Sequence, residues 1–130
     1  MMRSPTILIV EDEAVVRNVM VTVLVHGDYR VFEADSAAEA LEVSNTYEGV
    51  IDLLVADHTL KTMTGRQLAE KICQTRPGLR VLQISGYAQK KLEEGEAKAG
   101  ADFLEKPFSP KALLEKVREI LNRPRAQTSP

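Results

Sequence analysis

Polar side chains of complementary chemistry sit directly after four separate apolar runs. Glu11, Asp12 and Glu13 follow residues 6–10; Asp57, His58 and Thr59 follow residues 53–56. Ser85 and Gly86 close the run over 81–85, and Lys106 and Pro107 follow the run over 102–105. If these runs are strands of an open parallel sheet, their following residues share the edge where such sheets bind ligands. Carboxylates crowded at that edge repel one another, and a hard divalent cation with oxygen ligands resolves the repulsion, Mg²⁺ being the natural candidate. Mg²⁺ keeps several waters and combines one or two carboxylates with phosphate oxygens, while a lysine and a hydroxyl hold the remaining oxygens of a phosphoryl group. Glu11, Asp12 or Asp57 taken singly reads as a solvated loop charge or helix cap. Agreement among four strand ends favours a site.

The elements that would position these residues alternate. The run Thr-Ile-Leu-Ile-Val over 6–10 is apolar without alternation, as in a strand covered on both faces. Val16, Val19, Met20, Val23 and Leu24 recur at helical spacing up to Gly27, a glycine able to take the left-handed conformation that ends a helix. A second strand is expected over 29–34, and Ser36 caps a helix with Ala37, Ala40, Leu41 and Ser44 on one stripe. A third strand over 53–56 leads through a loop into a helix bearing Leu68, Ala69, Ile72 and Cys73, which stops before Pro77. A fourth strand over 81–85, a weak helix over 90–99, a short fifth strand over 102–105 and a helix over 109–121 complete five β-α units. In the weak helix Leu92 is the one large aliphatic residue, and Gly95 costs about 1 kcal/mol relative to alanine, so it is expected to be the least stable. Short connections between alternating strands and helices imply right-handed crossovers, a parallel sheet and a doubly wound three-layer α/β fold.

The 130 residues fit one domain, expected over 6–121, with 1–5 and 122–130 as flexible ends or linker. Hydrophobic residues make up 44% and charged residues 28%, which argues against disorder. Seventeen Lys and Arg against nineteen Asp and Glu give a net charge of −2 with no basic stripe, so direct nucleic-acid binding is not expected. The first apolar run is too short for a signal peptide or membrane span, and the lone Cys73 forms neither an internal disulfide nor a zinc site. A cytoplasmic location without membrane contact is expected.

These features together resemble the receiver domain of bacterial response regulators in two-component signalling. The resemblance rests on Glu11-Asp12, the run Leu-Leu-Val-Ala-Asp ending at Asp57, Gly65, Ser85-Gly86-Tyr87-Ala88, and residues 100–108 with Lys106-Pro107-Phe108. It implies a flavodoxin-like five-stranded sheet of order 2-1-3-4-5. It implies that Asp57 is the phosphoryl acceptor and a metal ligand, that Glu11 and Asp12 hold Mg²⁺ directly or through water, and that the Thr59 carbonyl completes the set. Ser85 would hydrogen-bond a phosphoryl oxygen, Lys106 would pair with it, and Phe103 would be the aromatic residue that moves with Ser85. Lys106-Pro107 is expected to be cis. The implied donor is a phosphohistidine on a histidine kinase or histidine phosphotransfer protein. The output would be read by a downstream protein or domain, with a homodimer through the weak helix, fifth strand and last helix as one form. Such a domain catalyses its own phosphorylation and dephosphorylation and has no separate enzymatic output; none is encoded here, so the chain is expected to be a stand-alone receiver or one excised from a longer protein. The wording around Ser85 and Lys106 is similar to receivers of hybrid sensor histidine kinases.

Leu60-Lys61 stands where the family usually has Met-Pro, and Phe103 lacks the hydroxyl of the family's tyrosine. A pseudo-receiver acting as a phosphate-independent interaction module is the competing reading, supported by Leu60-Lys61 alone. A flavodoxin-type carrier conflicts with three carboxylates in the first loop, and a dinucleotide enzyme with the lack of G-x-G-x-x-G there. Thr59 and Tyr87 each lie two positions beyond a site residue, and alternation aims both at the mouth. Thr59 is too short to orient an attacking water and Tyr87 would obstruct one, which predicts a long-lived phosphoryl group. His58 reads as structural or partner-facing, His26 as a helix-end residue, Cys73 as core packing, and Lys90-Lys91 with Glu93, Glu94 and Glu96 as a solvated face.

Overall fold

The computed structural model describes residues 4–86 and 102–123. Strands β1 (Thr6–Val10), β2 (Arg30–Ala34), β3 (Leu53–Asp57), β4 (Arg80–Ser85) and β5 (Asp102–Glu105) form one parallel sheet of order β2-β1-β3-β4-β5. Helices α1 (Ala14–His26), α2 (Ala37–Thr46), α3 (Gly65–Thr75) and α4 (Pro110–Asn122) cover it. The expected architecture and strand order are both found. The weak helix expected over 90–99 lies outside the described residues, as does Tyr87.

β1 and β3 are buried along their whole length because both faces of the sheet are covered. Ile7, Ile9, Leu53, Val55, Leu82 and Ile84 pack with Met20 and Leu24 of α1 and Leu113, Val117 and Ile120 of α4. Their alternates Leu8, Val10, Leu54 and Ala56 pack with Ala37 and Ala40 of α2 and Leu68, Ala69 and Ile72 of α3. Each fully buried large aliphatic side chain contributes roughly 1.5–3 kcal/mol. Both packed layers fix the register that carries Asp57 to the end of β3.

Helix ends follow local chemistry. Ser36 and Ser109 accept hydrogen bonds from the Glu39 and Ala112 amides, and Thr64 forms a reciprocal capping box with Gln67. The end of α1 departs from expectation. Gly27 has φ −84°, and Asp28 takes the left-handed position with φ 72°. The Tyr29 amide donates to Leu24 O and the Asp28 amide to Val25 O, the bond pair of a Schellman ending. Asp28 tolerates that conformation. Gly27 serves close packing instead: a Cβ there would lie 2.8 Å from Leu114 Cδ1. The buried stripe of α1 is also narrower than its periodicity suggests, since Val19 is 44% exposed.

Arg76, at the end of α3, ties down the chain that leaves α2. Its guanidinium donates to Ser44 Oγ at 3.0 Å, Gly49 O at 2.8 Å, Ser44 O at 2.9 Å and Tyr47 O at 2.6 Å. A lysine has no planar fork to serve four acceptors at once. Arg76→Lys is expected to lower unfolding stability by about 2 kcal/mol, the scale of charge-assisted hydrogen bonds lost with the fork. An unchanged urea midpoint would contradict the role assigned to this clamp.

Candidate functional site

The carboxyl ends of β1, β3, β4 and β5 bring the expected polar residues to one edge. Glu11 continues β1, its amide donating to Ala34 O of β2 at 3.1 Å. That backbone bond turns the Glu11 side chain inward, where it is fully buried. Its Oε2 accepts from the Glu13 amide at 3.1 Å, and its Oε1 lies 3.4 Å from Lys106 Nζ with no hydrogen-bond partner among the described residues. Arg17 Nη1 donates to the Glu11 carbonyl at 2.8 Å while its Nε pairs with Glu33 at 3.1 Å, which fixes the turn from β1 into α1.

Asp57 ends β3 and is buried. Its Oδ1 accepts from the Thr59 amide and its Oδ2 from Lys106 Nζ, both at 3.1 Å. Glu11, Asp12 and Asp57 each present a carboxylate oxygen within 4.8 Å of the others. Among the described residues, Lys106 pairs with two of these three carboxylates, Glu11 and Asp57, and with Glu13 further out at 3.9 Å. Burial pushes the Glu11 carboxyl above its ordinary value; the Glu13 amide and Lys106 offset this in part, and Asp57 adds to it. Burial alone would lower Lys106, but Asp57 and then Glu11 outweigh it and hold the ammonium above its ordinary value.

The backbone holds these groups in place. The Lys106 amide donates to Ser85 O at 2.7 Å, and the Lys106-Pro107 bond is cis as expected. The loop after Asp57 closes through a Thr59–Thr64 bridge, with the His58 amide donating to Ile84 O and the Gly65 amide to His58 O. Gly65 is needed for close approach. A Cβ there would lie 2.6 Å from both Asp57 O and Gln83 Oε1.

Ser85 is fully buried with Oγ lacking a hydrogen-bond partner among the described residues. Phe103 is half-buried on β5, in register with Gln83 of β4. The structure therefore brings together Glu11, Asp12, Asp57, Ser85 and Lys106, and places Thr59, exposed, at the rim. Leu60 is buried in the core and Lys61 exposed, so the departure from Met-Pro leaves an apolar anchor in place. His26 lies in the last turn of α1. Cys73 is half-buried, its thiol pushed up by burial and then by Glu70, which suits packing rather than reactivity. Two residues that border the site were not anticipated: Arg17, whose signal was a lone basic residue in the first turn after three acids, and Gln83, a polar residue inside an apolar strand.

A family model for the response regulator receiver domain matches residues 7–118. The chain is 38% identical over 121 residues to the sensor kinase CckA of Brucella abortus (strain 2308), spanning 92% of this chain and 13% of that protein. It is 32% identical over 118 residues to the chemotaxis protein CheY of Bacillus subtilis (strain 168), spanning 89% of this chain and 97% of that one. The crystal structure of a CheY-like receiver domain protein from Methanospirillum hungatei JF-1 superimposes with a TM-score of 0.79 at 32% identity, covering 92% of this chain and 94% of that one. Among the described residues no helix is long and apolar enough to cross a membrane. By its site edge, its sheet order and these relatives, the chain belongs to the response regulator receiver domain family.

Proposed function

We propose that Asp57 accepts a phosphoryl group from a phosphohistidine of a histidine kinase or histidine phosphotransfer protein, and that the acyl phosphate switches the domain for a downstream protein or output domain. The observation that carries this reading is the Asp57 carboxylate: buried at a strand end, bonded to Lys106, and grouped with two further carboxylates. The residues fit Mg²⁺. Three carboxylates within 4.8 Å, one with a buried oxygen lacking a hydrogen-bond partner among the described residues, form an all-oxygen donor set suited to a hard cation. Glu11, Asp12, Asp57 and the Thr59 carbonyl would hold it, and bound Mg²⁺ supplies neutralisation of carboxylate and phosphoryl charge.

An Asp57 oxygen bonds to phosphorus as the P–N bond to the donor imidazole breaks, the electron pair leaving with the ring nitrogen. Lys106 meets the phosphoryl oxygens, and the Ser85 hydroxyl donates to one of them. Drawing Ser85 inward vacates space that Phe103 fills, a two-state shift. The donor reaches Asp57 across an apolar rim: Val15, Val16, Val19, Pro107 and Phe108 line a cavity of about 400 Å³ that borders Lys106. Val15 at 76% exposure and Val19 at 44% leave that rim open to a partner.

Acetyl phosphate with Mg²⁺ is expected to add one phosphoryl group, and both chelation of the metal and Asp57→Asn are expected to remove it. Equal labelling of the Asn variant would sink the assignment and favour a phosphate-independent module. Val19→Glu is expected to slow transfer from a phosphohistidine protein at least five-fold while acetyl phosphate labelling stays unchanged; equal slowing with both donors would show that the rim is not a docking surface. Lys106→Met leaves Glu11 and Asp57 unanswered, and the metal-free protein at pH 7.5 is expected to lose about 2 kcal/mol, less than for a wholly buried pair because Lys106 is partly exposed. Lys106 lowers the Glu11 carboxyl that burial raises, so its loss makes folded Glu11 hold a proton still more tightly and the folded variant binds more protons than the unaltered fold as pH falls. The deficit should therefore shrink toward pH 5, and a pH-independent deficit in urea titrations would contradict this.

A further inference from the structure

Two buried polar atoms on β4 have no hydrogen-bond partner among the described residues: Ser85 Oγ and Gln83 Oε1. Ser85 is fully buried and Gln83 only 3% exposed, so neither is satisfied by bulk solvent. Leaving a buried acceptor or donor unsatisfied is costly, and such groups call for an explanation. Strand alternation puts the two side chains on one face, two residues apart. Ile84, between them, faces the opposite layer with α1 and α4.

The glutamine side chain runs toward the site. Its Oε1 lies 2.6 Å from where a Gly65 Cβ would be, and that same point is 2.6 Å from Asp57 O. Asp57 is in register with Ile84, the residue before Ser85. The carboxamide oxygen is thus carried up along β4 to the level of the acceptor and of Ser85. On the other side, Gln83 is in register with Phe103, so the same side chain neighbours both members of the proposed switch. An apolar residue at this position would bury without cost, as Leu82 and Ile84 do on the opposite face.

We propose that Gln83 is a positioning residue that holds the Ser85 hydroxyl in its resting orientation across one bridging water, and so competes with the phosphoryl group for it. The Ser85 hydroxyl can donate to that water and the water to the Gln83 carbonyl, so both unpartnered atoms supply the polar partners a buried water needs. When Ser85 turns to the phosphoryl oxygen, the bridge to the Gln83 oxygen is broken. Gln83 therefore acts as a brake on activation. This inference rests on the phosphoryl-switch reading above.

The test compares Mg²⁺ binding alone with binding of beryllofluoride, a mimic of the aspartyl phosphate, at saturating Mg²⁺. Gln83→Met, of similar volume, is expected to bind beryllofluoride about three- to ten-fold more tightly than the unaltered protein, the scale of one neutral hydrogen bond. Its Mg²⁺ affinity is expected to stay the same. In a Ser85→Ala background the gain should vanish, because no hydroxyl remains to compete for. A merely structural role would change unfolding stability and leave the ratio of the two affinities where it was. Unchanged or weaker beryllofluoride binding in Gln83→Met, or a gain that survives Ser85→Ala, would overturn the brake. Gln83→Leu provides the same comparison if the methionine variant does not fold. Failure of the unaltered protein to bind beryllofluoride with Mg²⁺ would instead overturn the phosphoryl-switch reading itself.

Discussion

Three carboxylates and one ammonium meet where β1, β3 and β5 end, and the rest of the fold serves to hold them there. Glu11 is fully buried, Asp57 nearly so, and Lys106 reaches both, at 3.4 Å and 3.1 Å. Left to themselves these groups would move apart or take up protons, since an uncompensated buried charge costs several kcal/mol. They stay because their backbones are committed elsewhere: Glu11 to β2, Asp57 within β3, and Lys106 to Ser85 of β4. The crowding is electrostatic strain that a bound cation would relieve, whereas a phosphoryl group on Asp57 would add negative charge and so depend on that cation and on Lys106.

The central position of β1 and β3 follows from the same constraint. Their uninterrupted apolar runs demand cover on both faces, and only the middle of a doubly wound sheet provides it. Carboxylates at the ends of such strands inherit the rigidity of the core beneath them. Gly65 completes the arrangement by letting α3 begin against the Asp57 carbonyl, which a side chain would prevent.

Much of this was legible in the residues. The run over 6–10 announced a central strand, and polar residues after four apolar runs announced the edge at which Glu11, Asp57, Ser85 and Lys106 now meet. What escaped the sequence depended on tertiary contact. Gly27 looked like the left-handed helix stop, yet Asp28 fills that role, and Gly27 instead leaves room for Leu114. Val19 fits the helical period of α1 but lies beyond the sheet's reach, toward Pro107 and Phe108. Arg76 drew no reading from the sequence, since its acceptors at Ser44, Tyr47 and Gly49 come from a segment distant in sequence. Gln83 carried a signal, a polar residue within Val-Leu-Gln-Ile-Ser, whose meaning needed the position of Gly65.

The central claim is that this strained carboxylate cluster directs chemistry to a single residue. Borohydride reduction of the phosphorylated protein converts an aspartyl phosphate to homoserine, and peptide mass mapping then locates it. The account predicts conversion at Asp57 alone, dependent on Mg²⁺ during phosphorylation. Homoserine at Asp12, or a phosphorylated protein whose Asp57 peptide is unchanged by borohydride, would contradict it.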